Sequence, residues 1–455
     1  MFFYHYLHWE DIFPQFENMV YYSPGRTTTY PSEVVEEGIR YHFLGGGNEV
    51  GNVGCIIEDK TQSRLLIDYG LAPTDPPRYP QESPFVSDAI ITHSHVDHLG
   101  MVPWLHASHQ TNLHATSLTS SISEIMWRDC YKISRIEGYP LAWDKRDLEE
   151  AMYAWKTQKF NNWNEHESWK WKLHRAGHIP GASMVEIETP SHKILHTGDF
   201  DTRDSQLVKG AKPISADILF VEGTYGGRNH VDKKEEEKRL IQKTLEIVDK
   251  GGTVIIPSFA QGRGQDVLMT LYKSGLDFEI HYDGMGKRLT QIMLDHSEFL
   301  KDPQTLKEAF ASAHKVSSKS DKKKALEGDV IITTSGMLDG GPSLWYLNRL
   351  RHDSKNAVFL VGYQAEGSGG HHLLNEGRVP IYGNMAKITN QIERFDLSTH
   401  AGHDEIVTFV KNCNPEHAII FHTDPTEARP PLEKALTDLN IEVHSPENGK
   451  SYNIY

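Results

Sequence analysis

Three imidazoles and a carboxylate stand within six residues of one another in the run His93, Ser94, His95, Val96, Asp97, His98. The run follows Ala89-Ile90-Ile91-Thr92, a short apolar stretch that reads as a strand, and it ends at Leu99-Gly100. His93 and His95 alternate along a turn, so both can aim at one cation. Asp97 and His98 can then aim at a second one close by. Mixed nitrogen and oxygen donors suit zinc, and an incomplete protein shell leaves room for water. The plainer reading is a set of solvated histidines on a loop. It is set aside because more residues of the ligand type follow in the same arrangement.

That arrangement is a short apolar strand with a ligand-type residue at or just after its end. It recurs at Asp68 after residues 63–67, at Asp199 after 193–198, at Glu222 after 217–221 and at His422 after 418–421. His178 lies in Ala176-Gly177-His178-Ile179-Pro180-Gly181, and His400 in Leu397-Ser398-Thr399-His400-Ala401-Gly402-His403. Strand ends along one edge of a sheet converge, so ligands far apart in sequence can reach a single site.

The remaining chain sets the scale. Its 455 residues allow two or three domains. Residues 39–44 alternate as a strand does, and Gly45-Gly46-Gly47-Asn48-Glu49-Val50-Gly51 follows. With Val50 where a third glycine would be needed, this is not a dinucleotide fingerprint but a tight hairpin or a loop beside the site. Residues 104–174 read as helical and carry seven tryptophans (Trp104, Trp127, Trp143, Trp155, Trp163, Trp169 and Trp171). These could stack bases, although such residues more often pack a core. Strands alternate with helices between about 227 and 383, which predicts a parallel sheet. The aromatic residues 1 to about 36 form either a docking arm or an extension packed on its own domain. Lys315 to Lys324 is a basic run, ordinarily a solvated loop.

The net charge of −15 means that a nucleic-acid partner would be held locally, by metals and a basic cleft, and not by a global field. Three scattered cysteines, Cys55, Cys130 and Cys413, suggest a reducing compartment without disulfides. No apolar run approaches bilayer-spanning length and no signal pattern opens the chain, so a cytoplasmic protein with no membrane partner is expected.

The His93–His98 motif with Asp68 before it, His178, and Thr197-Gly198-Asp199 resembles the di-zinc hydrolases of the metallo-β-lactamase fold. Val221-Glu222-Gly223-Thr224-Tyr225-Gly226, the Ser398-Thr399-His400 box and His422 are similar to the three extra motifs of the β-CASP group. Gly336-Met337-Leu338-Asp339-Gly340-Gly341-Pro342 and Gly362-Tyr363-Gln364-Ala365-Glu366-Gly367 resemble the nuclease subunit of cleavage and polyadenylation specificity factor, in its archaeal short form without KH domains. The resemblance covers about residues 39 to 455. It implies an α/β protein: a metallo-β-lactamase αββα sandwich (39–226 and 384–455, after an extension 1–38) with an inserted β-CASP parallel-sheet domain (227–383).

It also implies roles. His93, His95 and His178 would hold one Zn2+, and Asp97, His98 and His422 a second, with Asp199 bridging. His400 would act as general acid with Glu222 orienting it. Asp68 would fix the histidine loop, while Ser398 and Arg263 would serve the site or the substrate. The implied reaction is hydrolysis of single-stranded RNA, internally or from the 5′ end, and a homodimer accords with the resemblance. His403 rivals His400 three residues on, Arg263 has the alternative of a surface arginine at a helix start, and His371 and His372 read as surface or phosphate-contacting residues. One departure stands out: His422 is followed by Thr423-Asp424, where the family usually has Gly-Glu. A hydrolase of DNA or a small molecule, and a catalytically silent scaffold, are the alternatives; a scaffold of this kind typically loses the zinc ligands that this chain keeps.

Overall fold

The computed structural model describes residues 30–31, 33–74 and 77–455. Most of the aromatic segment therefore lies outside the described residues. Its last member, Tyr30, donates to Glu58 Oε2 at 2.5 Å and lies beneath the Arg64 guanidinium, so it packs on the strands that follow.

Two seven-stranded sheets lie face to face. The first runs in the order Ser451–Ile454, Ile39–Gly45, Gly54–Asp59, Arg64–Ile67, Asp88–Ile90, Asn112–Thr116, Trp155–Gln158. The second runs Glu442–His444, His417–Phe421, Ile218–Glu222, Lys193–His196, Ser183–Glu188, Trp169–Arg175, Asn164–His166. Alternate residues explain the stacking. Tyr41, Phe43, Cys55, Ile57 and Ile67 of the first sheet meet Trp171, Val185, Ile194, Phe220 and Phe421 of the second in one buried cluster. The opposite faces are covered too. Leu44, Ile56 and Leu66 pack under Leu105, Trp127 and Trp143, and Leu195, Leu219 and Ile420 pack under Phe409, Val410 and Leu432. The central strands are thus dry on both faces, which is why Ile39–Gly45, Gly54–Asp59 and Ile218–Glu222 are buried throughout, whereas strands toward the sheet edges are partly exposed. The layers are helix, sheet, sheet, helix, as the resemblance implied.

A third sheet of six strands has only parallel pairings, in the order His314–Lys315, Ile280–Tyr282, Val330–Thr333, Val254–Pro257, Ala357–Leu360, Gln391–Arg394. Parallel neighbours need crossovers, and the helices Arg263–Lys273, Gly286–Asp295, Lys319–Ala325 and Gly341–Leu350 supply them. Gln391–Arg394, past residue 384, still pairs in this sheet.

The helical expectation for residues 104–174 fails at Asn112–Thr116, a strand of the first sheet, and again beyond Met152. Helices occupy Val102–His109, Ser117–Glu137 and Lys145–Met152, but Trp155–Gln158, Asn164–His166 and Trp169–Arg175 are strands. The last of these buries Trp169, Trp171 and Leu173 on one side and turns Lys170 outward, a period of two that belongs to a strand. The tryptophans are largely core. Trp127 and Trp171 are fully buried, and the indoles of Trp127 and Trp143 donate to the carbonyls of Leu99 and Gly100. Core packing thereby secures the end of the short helix Val96–Leu99, which carries Asp97 and His98.

Candidate active site

The histidine loop leaves the strand Asp88–Ile90 at the sandwich edge and closes into the helix Val96–Leu99. Asp68, just after Arg64–Ile67, anchors it. Its carboxylate accepts from Thr92 N (2.7 Å), Thr92 Oγ1 (2.8 Å) and His98 Nδ1 (2.7 Å). Gly70 lets the loop sit this close, because a Cβ there would stand 1.7 Å from the Asp97 carbonyl oxygen. The glycine run at 45–51 joins two antiparallel strands as a hairpin that borders the site, where the Gly46 carbonyl accepts from His422 N at 2.7 Å.

Four chain segments meet at this edge. Ligand atoms of His93, His95, His178 and Asp199 lie within 4.8 Å of one another, and so do those of Asp97, His98 and His422. His95 Nδ1 is 3.1 Å from both His93 Nε2 and His178 Nε2. Asp199 faces both groups: its Oδ2 is 3.7 Å from His93 Nε2, 3.8 Å from His178 Nε2 and 3.4 Å from His98 Nε2. His422 Nε2 lies 3.4 Å from Asp97 Oδ2.

The far nitrogens of these rings are tied down. His178 Nδ1 donates to the Thr399 carbonyl at 2.8 Å, His93 Nδ1 lies 3.1 Å from Thr92 Oγ1, and His422 Nδ1 lies 3.0 Å from Thr224 Oγ1. Such outer contacts fix tautomer and ring direction in metal sites.

Three observations fit a metal to these residues. Buried His98 Nε2 and Asp199 Oδ1 have no hydrogen-bond partner, although buried polar atoms nearly always find one. Burial and neighbouring imidazoles push His93 and His178 well down, and burial takes His95 down to about 4. Neutral imidazoles keep the lone pair that a cation needs. At His98 burial opposes the charged form, yet the carboxylates of Asp199, Asp68 and Asp97 outweigh it and drive the pKa well up. A position that draws a proton so strongly equally favours a metal ion.

Asp199, Glu222 and His400 form the next group. Glu222 ends the strand Ile218–Glu222 fully buried, and His400 Nδ1 donates to its Oε1 at 2.9 Å. His400 Nε2 is 4.0 Å from Asp199 Oδ2. Burial works against the imidazolium, but Glu222 and Asp199 overcome it and lift His400 to about 9. His403 instead opens the helix His403–Cys413 and accepts from Gly227 N at 3.0 Å, so His400 is the one that borders the cluster. Ser398 Oγ accepts from the His400 amide at 3.2 Å. Asp424 does not reach His422; its Oδ1 accepts from Thr426 N and Glu427 N and closes a local turn.

Arg263 starts the helix Arg263–Lys273, yet it is buried, and its Nε and Nη1 have no hydrogen-bond partner. The surface-arginine alternative therefore fails. Gln261 Nε2 in the preceding loop donates to Ser94 Oγ, which ties the six-stranded sheet's loop to the histidine loop.

Sequence reading missed the supports. Arg203 forks onto both oxygens of Asp201 and donates to the carbonyls of Ser398 and His400 at 3.2 and 2.9 Å, which holds the His400 loop. Thr92 and Thr224 are the others. Their only signal is position, each lying within two residues of His93 or Glu222.

An edge of buried imidazoles and carboxylates on an αββα sandwich defines a metallo-hydrolase. The chain belongs to the metallo-β-lactamase superfamily and, within it, to the β-CASP family. Residues 50–258 match the metallo-β-lactamase superfamily, 266–373 the β-CASP domain, and 385–446 the Zn-dependent metallo-hydrolase RNA specificity domain. Similar relatives include RNase aCSPSF2 of Saccharolobus solfataricus, 34% identical over 422 residues that cover 90% of this chain and 85% of that protein. Probable RNase MJ4 of Methanocaldococcus jannaschii is 34% identical over 85% of this chain and 93% of its own. Transcription termination factor FttA of Pyrococcus horikoshii is 28% identical over 93% of this chain and 72% of its own. A crystal structure of a protein of unknown function from Enterococcus faecalis V583 shares the fold, with a TM-score of 0.59 at 12% identity, covering 92% of this chain and 100% of that one. Among the described residues no helix is long and apolar enough to cross a membrane.

Proposed function

We propose that this chain is a ribonuclease that holds two Zn2+ and hydrolyses phosphodiester bonds of single-stranded RNA. His93, His95 and His178 would hold one ion, Asp97, His98 and His422 the other, and Asp199 both. The observation that carries the reading is the meeting of these seven donors, two of them with buried atoms otherwise unpartnered. Bound there, the ions would acidify a water and neutralise charge building on the phosphate oxygens.

The protein's own groups do the rest. His400 gives a proton from Nε2 to the departing 3′ oxygen as the P–O bond breaks, and Glu222 holds the ring charged and oriented. Asp68 and Thr92 fix the histidine loop. Ser398, with Arg203 and Asp201, sets the His400 loop. Arg263, whose Nη1 lies 3.8 Å from Asp266 Oδ2 and whose Nε and Nη1 have no hydrogen-bond partner, would offer these N–H groups to a phosphate near the junction of the two sheet systems. RNA as substrate is supported by the family match described as an RNA specificity domain and by relatives named as RNases. We place the inserted domain from 227 to about 394, since Gln391–Arg394 pairs in its sheet. A homodimer and a cytoplasmic location belong to the same proposal.

The test is to give zinc-loaded protein a labelled single-stranded RNA, the matching DNA and a chromogenic phosphodiester. RNA cleavage that stops with a chelator, and in Asp97→Ala and His400→Ala, supports the reading. Wild-type-like cleavage by either variant, or no preference for RNA, overturns it. A 5′ monophosphate set against a 5′ triphosphate, with labels at each end, separates stepwise digestion from internal cuts.

A further inference from the structure

The strand His417–Phe421 that delivers His422 at one end carries a different group of donors at the other. It pairs in parallel with the edge strand Glu442–His444, His417 opposite Glu442 and Ile419 opposite His444. Residues 442 and 444 share one face of their strand, because side chains alternate, and that face meets His417. His417 Nδ1 is 3.1 Å from His444 Nε2. Glu442 reaches both rings, with Oε2 3.6 Å from His417 Nδ1 and Oε1 3.6 Å from His444 Nε2.

We propose that His417, Glu442 and His444 form a further divalent-cation site of the zinc class, separate from the hydrolytic centre. In tetrahedral zinc sites the metal–ligand bonds put neighbouring donors about 3.3 Å apart. The three separations lie on either side of that spacing, so one ion can touch all three. Two imidazoles and a carboxylate select borderline cations such as Zn2+ over Mg2+ or Ca2+. The ring of Tyr41 packs edge-on to His444, with centroids 6.2 Å apart, and limits its rotation. Both imidazoles are 17% exposed and Glu442 is 67% exposed, which leaves solvent a route to a fourth position. Five residues of strand separate the group from His422, about 16 Å, so the main centre's ions cannot serve it. A cation here would pin the sheet's last strand to the strand that bears His422.

Full-length protein loaded with excess Zn2+, freed of unbound metal and analysed by atomic spectroscopy tests this. Wild type should carry one zinc per chain more than His417→Gln or His444→Ala, with RNA cleavage retained in both variants. Should either half-buried substitution disturb folding, Glu442→Gln at the exposed position takes its place. It should weaken the extra zinc by no less than the roughly tenfold that losing an outer contact costs. Equal zinc counts in wild type and folded variants overturn the proposal, whether the shared number is two or three. Because the readout is a difference, an error in the stoichiometry of the main centre would not imitate its failure.

Discussion

Around Asp88, His114 and His166 every ring nitrogen has a partner, whereas around Asp199 they point at one another. His114 Nε2 donates to Asp88 Oδ1 at 2.7 Å and its Nδ1 lies 3.3 Å from Gln158 Nε2. His166 Nε2 donates to the Arg64 carbonyl at 3.0 Å and its Nδ1 lies 3.3 Å from Asp88 Oδ2. Both clusters sit within the sandwich and both use histidine and aspartate. At Asp88, burial is outweighed by the two imidazoles, which hold the carboxyl well below its usual range. That cluster is closed and can only stabilise. At Asp199 the donor atoms converge with two of them unmatched, and an unmet valence of that kind marks a place for a ligand.

The contrast can be broken in order of expected effect. Asp199→Ala should lower RNA cleavage by about 10³-fold or more, the worth of several kcal/mol of charge stabilisation by metal, with the fold kept by circular dichroism. His400→Ala should cost about 10²-fold or more in single-turnover rate, the ordinary worth of a general acid, at an unchanged zinc count. Normal zinc with normal rate would remove His400 from the mechanism. Asp68→Asn should weaken zinc by about 10- to 100-fold through loss of the His98 contact, measured by chelator competition. Asp88→Ala should do the reverse of all three. It should leave cleavage within about twofold while removing about 1.5–3 kcal/mol of stability in urea unfolding, as losing hydrogen bonds to a charged group does. If Asp88→Ala lost zinc, the two clusters would not be independent.

The site was legible because metal chemistry leaves a dense signature. The 93–98 run, ligand-type residues just after strands and, for His400, the resemblance of the Ser398-Thr399-His400 box pointed to one edge for His178, Asp199, Glu222, His400 and His422. The supports were not legible, since Arg203 acts on carbonyls almost two hundred residues away and nothing near it in sequence announces that. Arg263 shows the same limit: its burial depends on packing between sheets, not on its helix-start position. The alternation in Trp169-Lys170-Trp171-Lys172-Leu173 was available, but a long tryptophan-rich stretch masked its period. Gln391–Arg394 is polar and partly exposed, an edge strand recognisable only by its neighbour Ala357–Leu360.

Zinc-edge anomalous diffraction from crystals of the zinc-loaded protein tests the central claim most directly. Two neighbouring peaks are expected, one among His93, His95, His178 and Asp199, the other among Asp97, His98, His422 and Asp199. A single peak, or none, with these seven side chains well ordered would contradict the two-metal account.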